Sequence, residues 1–379
     1  MKKISVQISA YYGVYWILGA IVASLGSTLL ALSKHVGVTV GAISILFTTR
    51  SFGYLGGSLL AGYLYDRLHG HRVLTVMLLI SALALVSVPS LQVMALLSLV
   101  FFVIGAAQGG VDVGSNTLLV RAKPPKIAAA LNGLFFFAGV GSFIIPIYLG
   151  KVSLDWGYRG MALALIPIAL WVFFTKSPEI PAPSKTEDAG LNNQPLFISF
   201  ALLAFIYIGA EVTYGGWLFT YFTSSGLGSE SAAYTLNSLF WVAVMLGRLL
   251  AIPIAERFTL GQIIVGYLLG AVVCAGVLYF LRDLSIAVWI GTIGMGLSIA
   301  ALFPSTFTFV QENMKLSGKL TGVVWASGST GAMILPFLIG QQIDRVGPAS
   351  MMATMFFVWI LALGIFFFAL RSRIEAATV

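Results

Sequence analysis

The sequence predicts an all-α integral membrane protein with twelve transmembrane helices in two pseudo-symmetric six-helix bundles. Three observations predict it: a composition that water cannot accommodate, twelve apolar runs of spanning length, and a repeat relating the first half of the chain to the second. Of 379 residues, 59% are hydrophobic and 9% charged, with a mean hydropathy of +0.98. Soluble domains carry about 25% charged residues. This chain has too little polar surface to cover its apolar mass, so its solvent is a bilayer.

The apolar runs lie near 8–32, 39–65, 73–90, 93–120, 127–150, 159–175, 196–224, 231–254, 260–281, 285–310, 319–342 and 350–370. Each is close to or above the ~20 residues that cross a bilayer. Only helices fit, because a spanning strand needs a closed barrel and an alternating pattern, which is absent. Lysine and arginine set the orientation. With both termini cytoplasmic, fourteen fall on inside segments, among them Arg67, Arg72, Arg121, Lys123 and Lys126. Five fall outside: Lys34, Lys151, Arg159, Arg282 and Arg345. The net charge of +8 is therefore a matter of topology and not of nucleic-acid binding. The predicted organisation is an N-terminal bundle at 1–175, a Pro-rich, charged cytoplasmic linker at 176–195 and a C-terminal bundle at 196–379. The expected setting is multi-pass in the cell (inner) membrane, as a monomer.

Shifting the chain by 190 residues matches it to itself. Gly19, Ala20 and Gly26 fall on Gly209, Ala210 and Gly216, and Gly57–Ala61 falls on Gly247–Ala251. Asp66 and Arg67 fall on Glu256 and Arg257, and Gly141, Pro146 and Gly150 on Gly331, Pro336 and Gly340. One ungapped shift serves the first, second, fifth and sixth spans of each half. Parallel repeats of this kind build secondary transporters, with the site between the halves near mid-membrane.

The symmetry breaks at the acids. Asp112 falls on Leu302, and Ile21 falls on Glu211, so each half keeps one membrane carboxylate on non-equivalent helices. A charge at mid-helix costs roughly 2.5–3.5 kcal/mol on insertion scales, and such groups mark ion or substrate paths. Gln108, Asp112 and Asn116, at i, i+4 and i+8, form one polar stripe on the fourth span. Glu211, in the seventh span, has Tyr207 and Tyr214 on its face, with Gly215 and Gly216 offering a bend just beyond. Arg50, midway along the second span, needs a partner. Asp112 and Glu211 are the choices, Glu211 favoured by depth. Either acid could carry H+ or help to hold Na+. Asn132, Asn237, Trp241, Thr306 and Trp325 add amides, a hydroxyl and indoles inside spans. Together with Gln108, Tyr207 and Tyr214, they are the chemistry that binds sugars: amides bond hydroxyl pairs, and rings stack on pyranose faces. Such groups are also common glue between membrane helices. Gly62–Arg72 forms a charged cytoplasmic turn, with Asp66, Arg67 and Arg72 as a latch and Glu256 and Arg257 as its counterpart.

The chemistry of other classes is missing. A single cysteine, Cys274, excludes an internal disulfide and a Cys-rich metal site. There is no HExxH and no Walker motif, which excludes those routes to a zinc enzyme and to direct drive by ATP. No nucleophile–base set is present, so an enzyme is not expected and no cofactor is called for.

The second-to-third turn resembles the G-x-L-x-D-R-x-G-R-R signature of the major facilitator superfamily: Gly62, Leu64, Asp66, Arg67 and Arg72 match, with one extra residue before Gly70. The segments GGVDVGSNTLLV, GAEVTYGGWLFTY, LFPSTFTFVQE and GRLLAIPIAERF resemble the branch of bacterial fucose–galactose–glucose symporters and animal sodium-dependent glucose transporters. The resemblance implies the fold of that superfamily and assigns cation coupling to the fourth-span acid, Asp112. The fucose permease type also has a first-span acid, which is absent here between Ile8 and Leu32. The expected function is thus symport of a small molecule, a monosaccharide, with H+ or Na+ by alternating access. The alternatives are a proton-coupled exporter of drugs or metabolites and a membrane sensor or scaffold that transports nothing.

Overall fold

The computed structural model describes residues 2–179, 194–314 and 318–377. Those residues form helices throughout, with no strand among them. The chain divides into two compact units, Met1–Pro183 and Ser184–Val379. The expected linker lies mostly, at 180–193, outside the described residues.

In the first unit the helices are α1 (Lys2–Val36), α2 (Val40–Ile43), α3 (Ile45–Arg67), α4 (Gly70–Ser87), α5 (Met94–Arg121), α6 (Ile127–Leu149) and α7 (Leu154–Phe174). In the second they are α8 (Gln194–Ser224), α9 (Glu230–Ala255), α10 (Leu260–Phe280), α11 (Ser285–Ile299), α12 (Leu302–Asn313), α13 (Gly318–Val346) and α14 (Ser350–Ala377). The twelve expected spans are all helical, two of them interrupted: the second at Ser44, the tenth at Ala300–Ala301. Eleven helical stretches among the described residues are long and apolar enough to cross a membrane. The twelfth, α3, falls short on hydropathy because it carries Arg50, four glycines and Asp66–Arg67, yet its 23 residues reach about 34 Å.

The glycines shared by the two halves are where helices touch backbone to backbone. A Cβ on Gly19 of α1 would lie 1.9 Å from the Ala138 carbonyl oxygen of α6, and one on Gly141 of α6 would lie 1.8 Å from that of Trp16. The matching pair in the second half repeats this: a Cβ on Gly331 of α13 would lie 2.0 Å from the Phe205 oxygen of α8. Gly53 and Gly57 of α3 bring that helix to the same closeness with α5. Small residues are what allow such packing where no hydrophobic force drives helices together. Gly57→Ala is therefore expected to lower the thermal midpoint of the purified protein, at a cost of about 1–3 kcal/mol from overpacking. Gly56→Ala, whose Cβ meets nothing within 4 Å, serves as the matched control. Equal melting of the two variants would reject glycine contact as the basis of this helix pair.

The turn between the second and third spans is shorter than the signature suggested. Gly62–Arg67 is still α3, and α4 already begins at Gly70, leaving Leu68 and His69 between them. His71 is consequently in the first turn of a helix and is buried. Its Nδ1 lies 2.6 Å from the Thr175 carbonyl oxygen and its Nε2 2.8 Å from the Tyr11 hydroxyl. Gln7 Nε2 donates to the Lys176 carbonyl at 2.6 Å, and the backbone N–H of His71 donates to Ser177 Oγ at 3.3 Å. The first residues of the expected flexible linker are thus tied to α1 and α4.

Candidate functional site

The close contact of α3 with α5 and the tyrosines of α1 enclose Asp112. Its Oδ1 accepts from the Tyr15 hydroxyl of α1 and its Oδ2 from the Tyr54 hydroxyl of α3. Asn116, one turn along α5, donates from Nδ2 to Oδ1 at 3.2 Å, to the backbone oxygen of Asp112 at 3.0 Å, and to the Tyr15 hydroxyl. A half-buried carboxylate thus has a donor on each oxygen and an amide across one of them. Charge-assisted bonds of this kind are roughly twice as strong as neutral ones. The stripe Gln108–Asp112–Asn116 is present as expected. Tyr15 and Tyr54 were not singled out from the sequence. The signal was depth: Tyr15 lies roughly 20 Å from the N-terminal end of α1, and Tyr54 and Asp112 roughly 20 and 14 Å from the C-terminal ends of α3 and α5, at 1.5 Å per residue.

Arg50 corrects the expected ion pair. Its Nε donates to Gln108 Oε1 at 2.8 Å and its Nη1 to the Val22 carbonyl at 3.2 Å. Among the described residues it is in no ion pair. Glu211 instead pairs with Arg248 of its own half, at 3.7 Å, and also bonds the hydroxyl of Tyr207 one turn before it. Arg248 does a second job. Pro304 has no N–H to offer the carbonyl of Ala300, and the tenth span breaks there. Arg248 Nε donates to that Ala300 oxygen at 3.3 Å. Arg248, roughly 10 Å from the C-terminal end of α9 at 1.5 Å per residue, was not singled out from the sequence. At that depth a lone arginine reads as one that snorkels to the interface.

The other expected contacts separate into two groups. Tyr207 and Thr306 line a tight gap of about 10 Å³ in the second half, with Phe200, Phe303 and Trp359. Phe303 stacks on Tyr207 with centroids 5.8 Å apart and also meets Trp325 at 5.2 Å, so these rings form a continuous aromatic wall. Thr306 turns its hydroxyl back to the Leu302 carbonyl, 2.7 Å away. Tyr214 and Asn237, by contrast, are fully buried between helices. Tyr214 bonds Thr292 at 2.8 Å, and Asn237 donates to the Gly215 carbonyl at 3.0 Å. These are scaffold positions, not cavity contacts. Trp241 packs against Gly215, which closes the space that a bend would have used, and α8 runs unbroken through both glycines. Its indole N–H, like Asn237 Oδ1, has no acceptor or donor partner among the described residues. Asn132 is exposed on α6.

At the turn where a latch was expected, an ion pair forms in one half, with Arg121 and not with Arg67 or Arg72. Asp66 Oδ1 meets Arg121 Nη2 at 2.7 Å, and Arg121 Nη1 donates to the Tyr65 carbonyl at 2.7 Å, so the latch joins α3 to the end of α5. Arg67 lies over the ring of Tyr63, 4.2 Å from its centroid, while Arg72 is exposed and Gly62 has open space beside it. Glu256 and Arg257 form no ion pair among the described residues. The repeat supplies the reason: the residue matching Arg121 is Gln311, so Glu256 has no cation to meet.

The comparisons with known proteins agree with this architecture. The profile of the Major Facilitator Superfamily matches residues 11–336. The chain is 30% identical over 355 residues to sodium-dependent glucose transporter 1 of Xenopus laevis, covering 84% of this chain and 72% of that protein. It is 27% identical over 367 residues to the Homo sapiens protein of the same name, covering 85% and 71%. Among solved structures, a bacterial homolog of the human lysosomal transporter Spinster superposes with a TM-score of 0.79 at 14% identity, covering 99% and 98% of the two chains. The xylose transporter XylE of E. coli superposes with a TM-score of 0.76 at 10% identity, covering 95% and 98%. At these identities the structures speak for the fold alone. With a profile matched over most of its length and the two-fold helical repeat, the chain belongs to the Major Facilitator Superfamily and is a multi-pass membrane transporter, not an enzyme.

Proposed function

We propose that this transporter carries a monosaccharide together with a cation, H+ or Na+, by alternating access. The observation that carries the reading is the carboxylate of Asp112, held inside the membrane by Tyr15, Tyr54 and Asn116 with no arginine paired to it among the described residues. An intramembrane acid kept free of a permanent counter-charge is suited to exchanging a mobile one. The sugar side of the reading rests on the aromatic wall of Tyr207, Phe303 and Trp325 and on the names of the animal relatives, sodium-dependent glucose transporters. The charge distribution supports cytoplasmic termini and a cytoplasmic linker. The protein is read as a monomer of the cell (inner) membrane.

Uptake into proteoliposomes, with proton and sodium gradients imposed separately over a panel of monosaccharides, tests this. Accumulation should follow one of the two gradients. Sugar entry indifferent to both would remove the coupling. Export of lipophilic cations without sugar entry would replace the reading by a drug exporter.

A further inference from the structure

The polar stripe of α5 extends one turn from Asp112 to a cation with no anion in contact among the described residues. Gly105 lets α5 approach so closely that a Cβ there would lie 1.9 Å from the carbonyl oxygen of Arg50. That closeness sets the half-buried Arg50 side chain beside Gln108. A guanidinium has five N–H donors. Arg50 directs two of them to neutral oxygens, those of Gln108 and Val22. Gln108 is 2% exposed, and its Nε2 has no acceptor among the described residues. A positive charge without an anion and a buried amide without an acceptor therefore share one small site. The second half offers the contrast: Arg248, with the same chemistry, meets Glu211.

We propose that Arg50 and Gln108 form a subsite for a carboxylate, so that the preferred substrate is an acidic sugar, a uronate or aldonate. The inference rests on the sugar reading above. The planar guanidinium fork fits two carboxylate oxygens, and the amide N–H2 supplies a further donor. A sugar hydroxyl would satisfy the donors but put no anion in contact with the guanidinium, in a medium where that is costly. Tyr54 and Tyr158 also lie close enough to Arg50 to interact with it electrostatically. The opposing charge is Asp112, one turn along α5. An anion alone beside Asp112 would leave the site with a net negative charge. The same anion with a cation on Asp112 leaves it neutral. Anion and cation then bind best together, which is symport by charge balance; a neutral sugar has no such linkage.

Binding of glucuronate and of glucose to the purified full chain, followed by tryptophan fluorescence at fixed ionic strength, tests this. Glucuronate should bind about 10-fold tighter than glucose, the scale of one charge-assisted bond. Arg50→Gln should bring that ratio to about one, and Arg50→Lys should restore part of it. Glucose binding as tightly as glucuronate to the parent protein overturns the carboxylate subsite and leaves the sugar reading standing; this comparison needs no variant to fold. Binding of neither rejects both. Lactate competing as well as glucuronate keeps the subsite and rejects the sugar.

Discussion

Asp112→Asn is expected to lower gradient-driven accumulation of substrate by about 100-fold, equivalent to about 2.7 kcal/mol, while exchange of substrate at equal concentrations on both sides continues. Asparagine has nearly the shape of aspartate and keeps one acceptor oxygen, so the packing of α1, α3 and α5 is preserved. What it lacks is a charge to exchange. The bonds from Tyr15 and Asn116 to the first oxygen become neutral ones, and the group facing Tyr54 changes from acceptor to donor. Comparing concentrative uptake with counterflow in the same proteoliposomes isolates coupling from binding. An Asn variant that still concentrates substrate would show that the carboxylate only cross-links helices.

Arg248→Leu is expected to destabilise the second half by on the order of 2–3 kcal/mol. That is below the roughly 3–5 kcal/mol of breaking a fully buried pair, because the Arg248 side chain is 34% exposed and Glu211 15%. Two groups lose their partner at once: the Glu211 carboxylate and the Ala300 carbonyl left open by Pro304. Adding Glu211→Leu to the same chain should recover part of the loss, since an apolar pair is cheaper to bury than one unpaired charge. A double-mutant cycle on the thermal midpoint reads the coupling directly. Additive effects of the two substitutions, or a single variant that melts like the parent, would reject the pair as a structural element.

Where sequence reasoning held and where it failed follows from the range of the interaction involved. The repeat found Gly19, Gly57, Gly141 and Gly331 because close helix contact needs small residues at set positions, and a shift of 190 preserves those positions. Asp112 and Glu211 stood out because a charge in hydrocarbon is rare. Their partners did not. Tyr15 and Tyr54 belong to residue types that ordinarily pack in membrane helices, and Arg248 lies near one end of α9, where an arginine can reach the interface without a partner. The latch counterpart at Glu256 looked valid by symmetry and failed at a distant position, Gln311.

The sequence by itself determined the solvent, the helices, the two-fold repeat and the identity of the two acids, since each depends on composition or on spacing along one helix. Only the tertiary structure decided who meets those acids: two tyrosines for Asp112, Arg248 for Glu211, and neutral oxygens for Arg50. Hydrogen bonds and ion pairs act over about 3–4 Å, and the rotation and depth of one helix against another, set by glycine contacts and by the break at Pro304, fix which side chains come within that reach.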